Sequence, residues 1–236
     1  MDMDQKKGII VSGGSLEEDF ALAFFAEREG SQAGTSPDRG LIAADAGLVF
    51  CRRHGLVPGW IVGDFDSAQP SCLEEYRARG DIEIRTFPPE KDWTDTELAV
   101  RLGLELGWKQ IFLLGGTGTR LDHMLGNLQV MEMALAQGVS LVLLDSHNRV
   151  RMCRNELRLK RERTTAWDLS SFWGDYLSLI PWGGPAEGLT LKGFRYPLDD
   201  ACLETGKSLG ISNEITGEEA VLSLRKGILI AAESRD

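Results

Sequence analysis

Two short acidic segments contain the residues best suited to chemistry. Asp64 and Asp66 stand two positions apart directly after an apolar run, and Asp92 and Asp95 come directly before another. Carboxylates gathered from such turns repel one another unless a cation lies among them. Mg²⁺ prefers oxygen ligands and commonly binds one or two carboxylates together with substrate phosphates. The two segments therefore predict a metal-assisted transferase of the phosphoryl type.

The elements that would position these residues follow from the alternation of short apolar runs with longer segments of helical spacing. Predicted strands lie at 8–14, 41–47, 60–64, 82–87, 110–115 and 140–144, and predicted helices at 16–29, 49–54, 73–79, 95–106 and 120–137. Strands that alternate with helices form a parallel sheet of the Rossmann-like α/β class, with the ligand site at the carboxyl ends of the strands. The side chains expected to meet at that edge are Asp45, Asp64, Asp66, Asp95 and Arg120.

The pattern changes after about residue 145. Short, often alternating apolar runs separated by Gly and Pro lie at 176–180, 188–192, 220–224 and 227–231. This pattern is typical of antiparallel strands. We therefore predict an α/β domain over residues 1–147 and an antiparallel all-β domain over residues 148–236. The polar, basic stretch at 151–173 supports no assignment to strand or helix.

Composition excludes several classes of partner. The formal net charge of −10 argues against nucleic acid, because phosphate backbones need a basic face. No apolar run approaches the ~18 residues of a membrane span, and the N-terminus lacks the apolar region of a signal peptide, so we expect no membrane association. The widely separated Cys51, Cys72, Cys153 and Cys202 indicate neither a zinc site nor a disulfide framework. We expect a cytoplasmic protein whose four thiols pack as small hydrophobes.

The spacing of Asp64 and Asp66 favours metal binding if the segment is extended. Residues i and i+2 of an extended segment point their side chains the same way, so both carboxylates can bind one ion. The competing interpretation is a turn in which each aspartate accepts hydrogen bonds from the local backbone.

The second acidic segment also has two interpretations. Thr94 and Glu97 have the spacing of a capping box, and Asp95 in the first helical turn favours the helix dipole. A helix start therefore explains these three residues, but it does not explain Lys91 and Asp92 just upstream. The same helix N-terminus would help to hold a phosphate.

A third segment, at 115–123, follows a predicted strand and opens a predicted helix. Its glycines, Gly116 among them, would let backbone amides approach an anion closely. Arg120 can bind a phosphate through two donors or stack on a base. The alternatives are a glycine-rich turn, a helix-dipole charge at Asp122 and a structural hydrogen-bonding role for His123.

In the all-β part, the segment 206–214 is polar and marked by glycines. It is the one segment there with a plausible binding role. The residue pattern alone favours a surface loop.

Taken together, these motifs resemble those of the bacterial-type thiamine pyrophosphokinase family. The matching motifs lie, in the same order, at 44–47, 63–67, 91–97, 115–123, 188–198 and 210–214. The resemblance spans nearly the whole chain, and the ordered set is specific although each motif alone is not. It implies an N-terminal α/β catalytic domain, a C-terminal β-sandwich domain and a homodimer with thiamine bound where the subunits meet.

The resemblance also implies roles for individual residues. Asp64, Asp66 and Asp95 resemble the metal-binding carboxylates of the family, and Asp45 and Asp92 resemble acidic neighbours of that site. The nucleotide and phosphate region corresponds to Asp45, Lys91, Thr94, Gly116, Arg120, Asp122 and His123, and the thiamine-side loop to Ser212 and Asn213.

The implied reaction is transfer of an intact diphosphate from ATP to the thiamine hydroxyl, with release of AMP. Mg²⁺ on Asp64, Asp66 and Asp95 would neutralise the phosphates, because positioning and charge stabilisation carry most of such catalysis. Asp92 is a candidate acceptor for the hydroxyl proton. Arg120 would stabilise charge on the transferred or the leaving group.

Three other functions remain open from the sequence. The same architecture could serve another hydroxymethyl heterocycle, such as a pterin. The same residues could belong to a non-catalytic nucleotide sensor with a β dimerisation domain, or to a metal-dependent phosphohydrolase. A panel of acceptors with ATP separates these functions, because only a pyrophosphokinase releases AMP when its acceptor is present.

Overall fold

A computed structural model of the protein describes residues 6–28, 37–65, 70–88, 92–118, 120–162 and 164–236. Two of the predicted site residues, Asp66 and Lys91, lie outside these described residues. The chain divides into two compact units. Unit 1 comprises Met1–Ala21 and Gly30–Asp145, and unit 2 comprises Leu22–Glu29 and Ser146–Asp236.

The described part of unit 1 contains a parallel sheet of six strands. The strands are β1 (Lys7–Val11), β2 (Asp38–Ala44), β3 (Pro58–Gly63), β4 (Glu83–Thr86), β5 (Gln110–Leu114) and β6 (Ser140–Leu144). Their order across the sheet is β4-β3-β2-β1-β5-β6, and every neighbouring pair is parallel. The strand order reverses between β1 and β5. A crevice for a ligand is expected at this point, outside the carboxyl ends of the strands.

Helices connect the strands of this sheet. They are α1 (Glu18–Glu27), whose residues from Leu22 onward belong to unit 2, α2 (Gly47–Arg53), α3 (Pro70–Arg79), α4 (Asp95–Glu105) and α5 (Leu121–Ala136). Every strand and helix predicted for this part of the chain is present, with ends that differ by no more than three residues. All residues of β3 and β5 are buried, as expected of parallel strands that helices cover on both faces.

Unit 2 is built from antiparallel strands. In the described residues they are β7 (Asn148–Cys153), β8 (Glu156–Lys160), β9 (Tyr176–Lys192), β10 (Leu198–Leu203), β11 (Glu219–Ser223) and β12 (Lys226–Ser234). The order is β7-β12-β9-β11-β8, with β10 paired to β9. Side chains from all six strands meet in one apolar core. The predicted α/β class with antiparallel strands in the C-terminal part is therefore confirmed.

Two details of unit 2 differ from the sequence prediction. The runs predicted as separate strands at 176–180 and 188–192 are the two ends of one strand, β9, which is 17 residues long. Strands β7 and β8 fall mainly in the polar, basic stretch that supported no assignment. Their polar character follows from ion pairs that a single-sequence pattern does not reveal.

A buried cluster of two arginines and one glutamate joins β7 to β12. Glu233 on β12 accepts hydrogen bonds from Arg149 Nε at 3.1 Å, Arg149 Nη2 at 2.7 Å and Arg151 Nη2 at 2.9 Å. The side chains of Arg149 and Glu233 are fully buried. Burial lowers the pKa of Arg149 from its usual value, and the charge of Glu233 opposes that shift. The two side chains form a buried ion pair, in which removal of either partner leaves the other without a counter-charge.

The same arginines hold the segment at 164–173. Arg149 donates hydrogen bonds to the backbone carbonyls of Ala166, Asp168 and Ser171, and Arg151 donates to Leu169 O at 2.8 Å. Guanidinium groups suit this task because each offers five donors in a fixed plane. The segment is therefore an anchored part of unit 2.

An aromatic contact adds to this anchoring. The Trp167 ring stacks on Phe24 of α1, with ring centroids 4.5 Å apart. Its Nε1 donates a hydrogen bond to Phe24 O at 2.9 Å. The tryptophan thus gains a stacking contact and a hydrogen bond from the same residue.

The cysteines only partly follow the prediction. Cys51, Cys72 and Cys153 are buried without disulfides, as expected, whereas Cys202 is exposed, so the prediction that all four pack inside was wrong. Burial raises the pKa of the Cys153 thiol to about 11. Within the described residues, no helix is long and apolar enough to cross a membrane.

The buried cluster predicts a large effect of Glu233→Gln. The substitution leaves two buried guanidinium groups without a counter-charge, so we expect a loss of about 3–5 kcal/mol in the free energy of unfolding. Urea denaturation of the variant and the wild type measures this loss. The matched control is Glu204→Gln, which removes an exposed partner of Lys207 and should change the free energy by less than about 1 kcal/mol. Equal denaturation midpoints for Glu233→Gln and wild type would contradict the role of Glu233 as the counter-charge of the two arginines.

Candidate active site

A cavity of about 540 Å³ lies in unit 1 at the carboxyl ends of β1 and β5, where the strand order reverses. Its volume is in the range of small-molecule sites. The lining residues come from the loops after β1, β2 and β5, from the start of α4 and from the first two turns of α5. They are Ser12, Gly13, Gly14, Ser15, Asp45, Thr94, Asp95, Thr96, Gly115, Gly116, Gly118, Arg120, His123 and Asn127.

Three carboxylates gather beside this cavity. Asp45 follows β2, Asp64 follows β3 and Asp95 is the first residue of α4. Each offers an oxygen, and these three oxygens lie within 4.8 Å of one another. Opposite ligands of an octahedral Mg²⁺ are about 4 Å apart, so small side-chain movements would bring the three oxygens onto one ion. All three residues are half-buried, which limits how far water alone can screen their charges.

The backbone after β3 differs from the extended segment that we predicted. Phe65 has a φ of 60°, in the left-handed region, so the chain turns between Asp64 and Asp66. The argument that extended geometry aligns these two side chains was therefore wrong. Asp66 itself lies outside the described residues. Asp45, which the motif placed next to the metal site, contributes the third carboxylate of the observed group.

The start of α4 fixes the position of Asp95. The Thr94 side chain accepts a hydrogen bond from Glu97 N at 3.1 Å, which confirms the first half of the predicted capping box. The carboxylate of Glu97 accepts hydrogen bonds from Arg101 at 3.0 and 2.8 Å. Asp92 lies just upstream and is exposed. Because the cap fixes where α4 begins, it also fixes the position of Asp95 at the cavity.

Two glycine loops form the wall of the cavity between β1 and β5. A Cβ on Gly14 would lie 2.2 Å from the carbonyl oxygen of Gly115, so the loops approach more closely than a side chain allows. Gly115 has a φ of 71°. The Asn127 side chain, buried on α5, donates a hydrogen bond to Gly116 O at 2.7 Å and fixes the second loop. Such loops can present backbone N–H groups to an anion.

Arg120 stands at the entrance to α5. It forms a two-donor ion pair with Asp122, with Nη2–Oδ2 at 2.6 Å and Nε–Oδ1 at 3.2 Å, and both side chains are exposed. This hydrogen-bonded pair lowers the pKa of Asp122 to about 2. Arg120 and His123 line the cavity. Asp122 thus orients the guanidinium group that a phosphate ligand would meet.

Ser212 and Asn213 lie in unit 2. Ser212 is exposed and has a φ of 56°, and its backbone N–H donates a hydrogen bond to the Ser178 hydroxyl oxygen at 3.0 Å. Asn213 is buried, and its carboxamide bonds the backbone of Tyr196 at 3.0 and 2.8 Å. The asparagine therefore shapes the loop, and the serine hydroxyl is the more accessible group.

Sequence reasoning did not identify four of the polar side chains that line the cavity: Ser12, Ser15, Thr96 and Asn127. Ser12 and Ser15 follow β1. Their position where the strand order reverses was the feature that could have identified them as site residues. Thr96 adjoins Asp95 within a motif that was attributed to capping. Asn127 lies two helical turns into α5. The local sequence does not show whether an asparagine at that position binds a loop or faces solvent.

Comparison with known proteins gives matches along both units. The family model described as thiamin pyrophosphokinase, catalytic domain, matches residues 36–143. The model described as thiamin pyrophosphokinase, vitamin B1 binding domain, matches residues 155–229. The chain belongs to the thiamin pyrophosphokinase family.

Individual members of the thiamin pyrophosphokinase family support this membership. The thiamine pyrophosphokinase of Bacillus subtilis is 33% identical over 201 residues, which are 83% of this chain and 87% of that protein. A crystal structure from Bacillus subtilis superposes with a TM-score of 0.81 at 28% identity and covers 98% of this chain and 100% of its own. A structure from Geobacillus thermodenitrificans gives a TM-score of 0.75 at 28% identity, with 97% of each chain covered.

The close approach of the two glycine loops predicts opposite effects of two substitutions. Gly14→Ala would place a methyl group against Gly115 O and should destabilise the protein by about 1–3 kcal/mol. Gly126→Ala on α5 meets nothing within 4 Å and should stabilise the helix by up to about 1 kcal/mol. Urea denaturation measures both changes. A Gly14→Ala variant as stable as Gly126→Ala would show that the loops separate easily.

Proposed function

We propose that this chain transfers the diphosphate of ATP to the hydroxyl group of thiamine, giving thiamine diphosphate and AMP. The observation that carries the proposal is the coincidence of two features in unit 1. The match to the catalytic domain of the thiamin pyrophosphokinase family covers residues 36–143, which include the cavity residues after β2 and β5 and those at α4 and α5, and three carboxylates meet beside that cavity. ATP is the co-substrate of this family.

We assign Mg²⁺ to the group formed by Asp45, Asp64 and Asp95, and we retain Asp66 as a further ligand. The donor set supports this assignment, because it consists of carboxylate oxygens, which hard divalent cations prefer. When bound, the ion neutralises charge on the phosphates and orients them.

The other cavity residues have roles in binding the nucleotide. We propose that backbone N–H groups of the loops at 13–15 and 115–118, which line the cavity, donate to phosphate oxygens. Arg120, oriented by Asp122, would stabilise the negative charge that shifts to the transferred and leaving groups. Lys91, Thr94, Gly116 and His123 remain our candidates for further contacts with ATP.

In the proposed reaction the thiamine hydroxyl oxygen bonds to the β-phosphorus of ATP. The bond from that phosphorus to the oxygen of the α-phosphate breaks, and its electron pair leaves with AMP. The hydroxyl proton must pass to a base, and Asp92, exposed beside the cap of α4, is our candidate. Holding the alcohol and the phosphorus in line contributes most of the rate.

For thiamine, we propose contacts with the loop that contains Ser212 and Asn213 and a homodimer that completes the site. The net charge of −10 favours the positively charged thiazolium ring. Four apolar side chains of unit 2 near this loop are exposed, which suits an interface between subunits. They are Ile180, Tyr196, Leu209 and Ile211.

We further propose that the protein works in the cytoplasm. Its four cysteines form no disulfide, and three of them are buried as thiols. This usage of cysteine is typical of a reducing compartment.

Family membership disfavours the alternatives left open by the sequence. A pterin pyrophosphokinase, a nucleotide sensor and a phosphohydrolase could each use the same acidic residues. None of them accounts for a second unit whose residues match a vitamin B1 binding domain.

The proposed function predicts AMP and thiamine diphosphate in equal amounts from purified protein, ATP and thiamine. Chromatographic separation of the nucleotides and thiamine esters measures both products. Removal of Mg²⁺ with a chelator should stop the reaction, and added Mg²⁺ should restore it. Formation of ADP, or loss of ATP without thiamine, would contradict the proposal and favour a phosphohydrolase.

The carboxylate group predicts severe losses for Asp45→Asn and Asp95→Asn. Each change removes a charge that helps to hold the cation, so kcat/KM should fall by roughly 10²- to 10⁴-fold, with partial recovery at higher Mg²⁺ concentration. Steady-state assays over a range of Mg²⁺ concentrations measure both effects. Asp81→Asn, which changes an exposed partner of Arg79, is the control and should leave turnover unchanged. Near-normal turnover in a folded Asp45 or Asp95 variant would remove that residue from the metal site.

A further inference from the structure

A pair of buried hydroxyl groups faces the cavity beside the carboxylates. Ser12 follows β1, and Thr96 lies in the first turn of α4. Their hydroxyl oxygens are 2.7 Å apart, and either can be the donor. Each residue is 8% exposed, and both line the cavity. The pair joins the end of β1 to the helix that carries Asp95.

The pair has one hydrogen more than its own bond uses. Each hydroxyl group carries one hydrogen and two acceptor lone pairs. The bond between Ser12 and Thr96 uses one hydrogen, and no other side-chain hydrogen bond of either residue occurs within the described part of the chain. A buried donor without an acceptor is unfavourable, so the second hydrogen needs a partner in the cavity.

We propose that this second hydrogen is donated to a phosphate oxygen of ATP, so that Ser12 and Thr96 together form a phosphate-binding donor. The inference rests on the proposed function, in which ATP occupies this cavity. Phosphate oxygens are strong acceptors, and hydrogen bonds to charged groups are stronger than neutral ones. The donor is also polarised, because its own oxygen accepts the hydrogen of the neighbouring hydroxyl group.

The position of the pair suits this role. Thr96 adjoins Asp95, so the pair lies next to a proposed cation ligand. Ser12 is held in place because its backbone N–H donates to Leu114 O at 2.9 Å. A donor fixed at both ends loses little freedom when the nucleotide binds.

The competing explanation is that the pair only ties β1 to α4, and a double-substitution cycle separates the two. The isosteric changes are Ser12→Ala and Thr96→Val. If the pair is only a tie, either change breaks it completely, and the double variant loses no more than a single one. If the pair is a donor to ATP, each single variant keeps one hydroxyl hydrogen for the phosphate, and only the double variant loses it.

The experiment is titration calorimetry of ATP into each variant with Mg²⁺ and without thiamine. We expect ATP affinity to fall less than about fivefold in either single variant and roughly 10- to 100-fold in the double variant. Replacing Thr96→Val by Thr96→Ser in the Ser12→Ala background should restore most of the affinity, because the serine keeps the hydroxyl group. Urea midpoints check that every variant is folded.

Four outcomes would overturn one or both of these proposals. A double variant no weaker than the singles, or a Thr96→Ser change that restores nothing, overturns the inference. Because the titration requires no turnover, a wild-type chain that binds ATP but forms no thiamine diphosphate overturns the proposed function while the variants still test the donor. A wild-type chain that binds no ATP overturns both.

Discussion

Mutual repulsion between carboxylates is the constraint on which the site depends. Asp45, Asp64 and Asp95 come from three different loops, yet their oxygens lie within 4.8 Å of one another. The buried sheet fixes where β2 and β3 end, and the Asp45 N–H donates to Val62 O at 2.9 Å. The apolar strands therefore supply the rigidity, and the stability they provide offsets the repulsion between the carboxylates.

Much of unit 1 could be predicted because its signals are local. Apolar runs, glycine turns and the Thr94 cap each depend on a few neighbouring residues, so the alternation of strands and helices was visible in one sequence. Parallel topology then brought Asp45, Asp64 and Asp95 to one edge. The predicted extended backbone after β3 was wrong, because Phe65 adopts a left-handed conformation and turns the chain there. Phenylalanine has no preference for this conformation, so the sequence does not indicate the turn.

The parts that escaped prediction depend on long-range pairing. Arg149 and Arg151 look like surface charges in sequence, because Glu233 lies more than 80 positions away. The same separation hid the contact between Ser12 and Thr96, which are 84 positions apart. Such pairs become visible only when the fold is known. In unit 2, the arginines of β7 have a buried ionic partner that the sequence does not reveal, so this strand was not predicted.

The contrast among the cysteines has a practical consequence. Cys202 on β10 is exposed, while Cys51, Cys72 and Cys153 are enclosed in the two cores. A maleimide dye or spin label added to the native protein would attach selectively at Cys202, within the part that matches a vitamin B1 binding domain. The natural chain thus already carries one accessible thiol to which a spectroscopic probe can be attached, without an engineered cysteine.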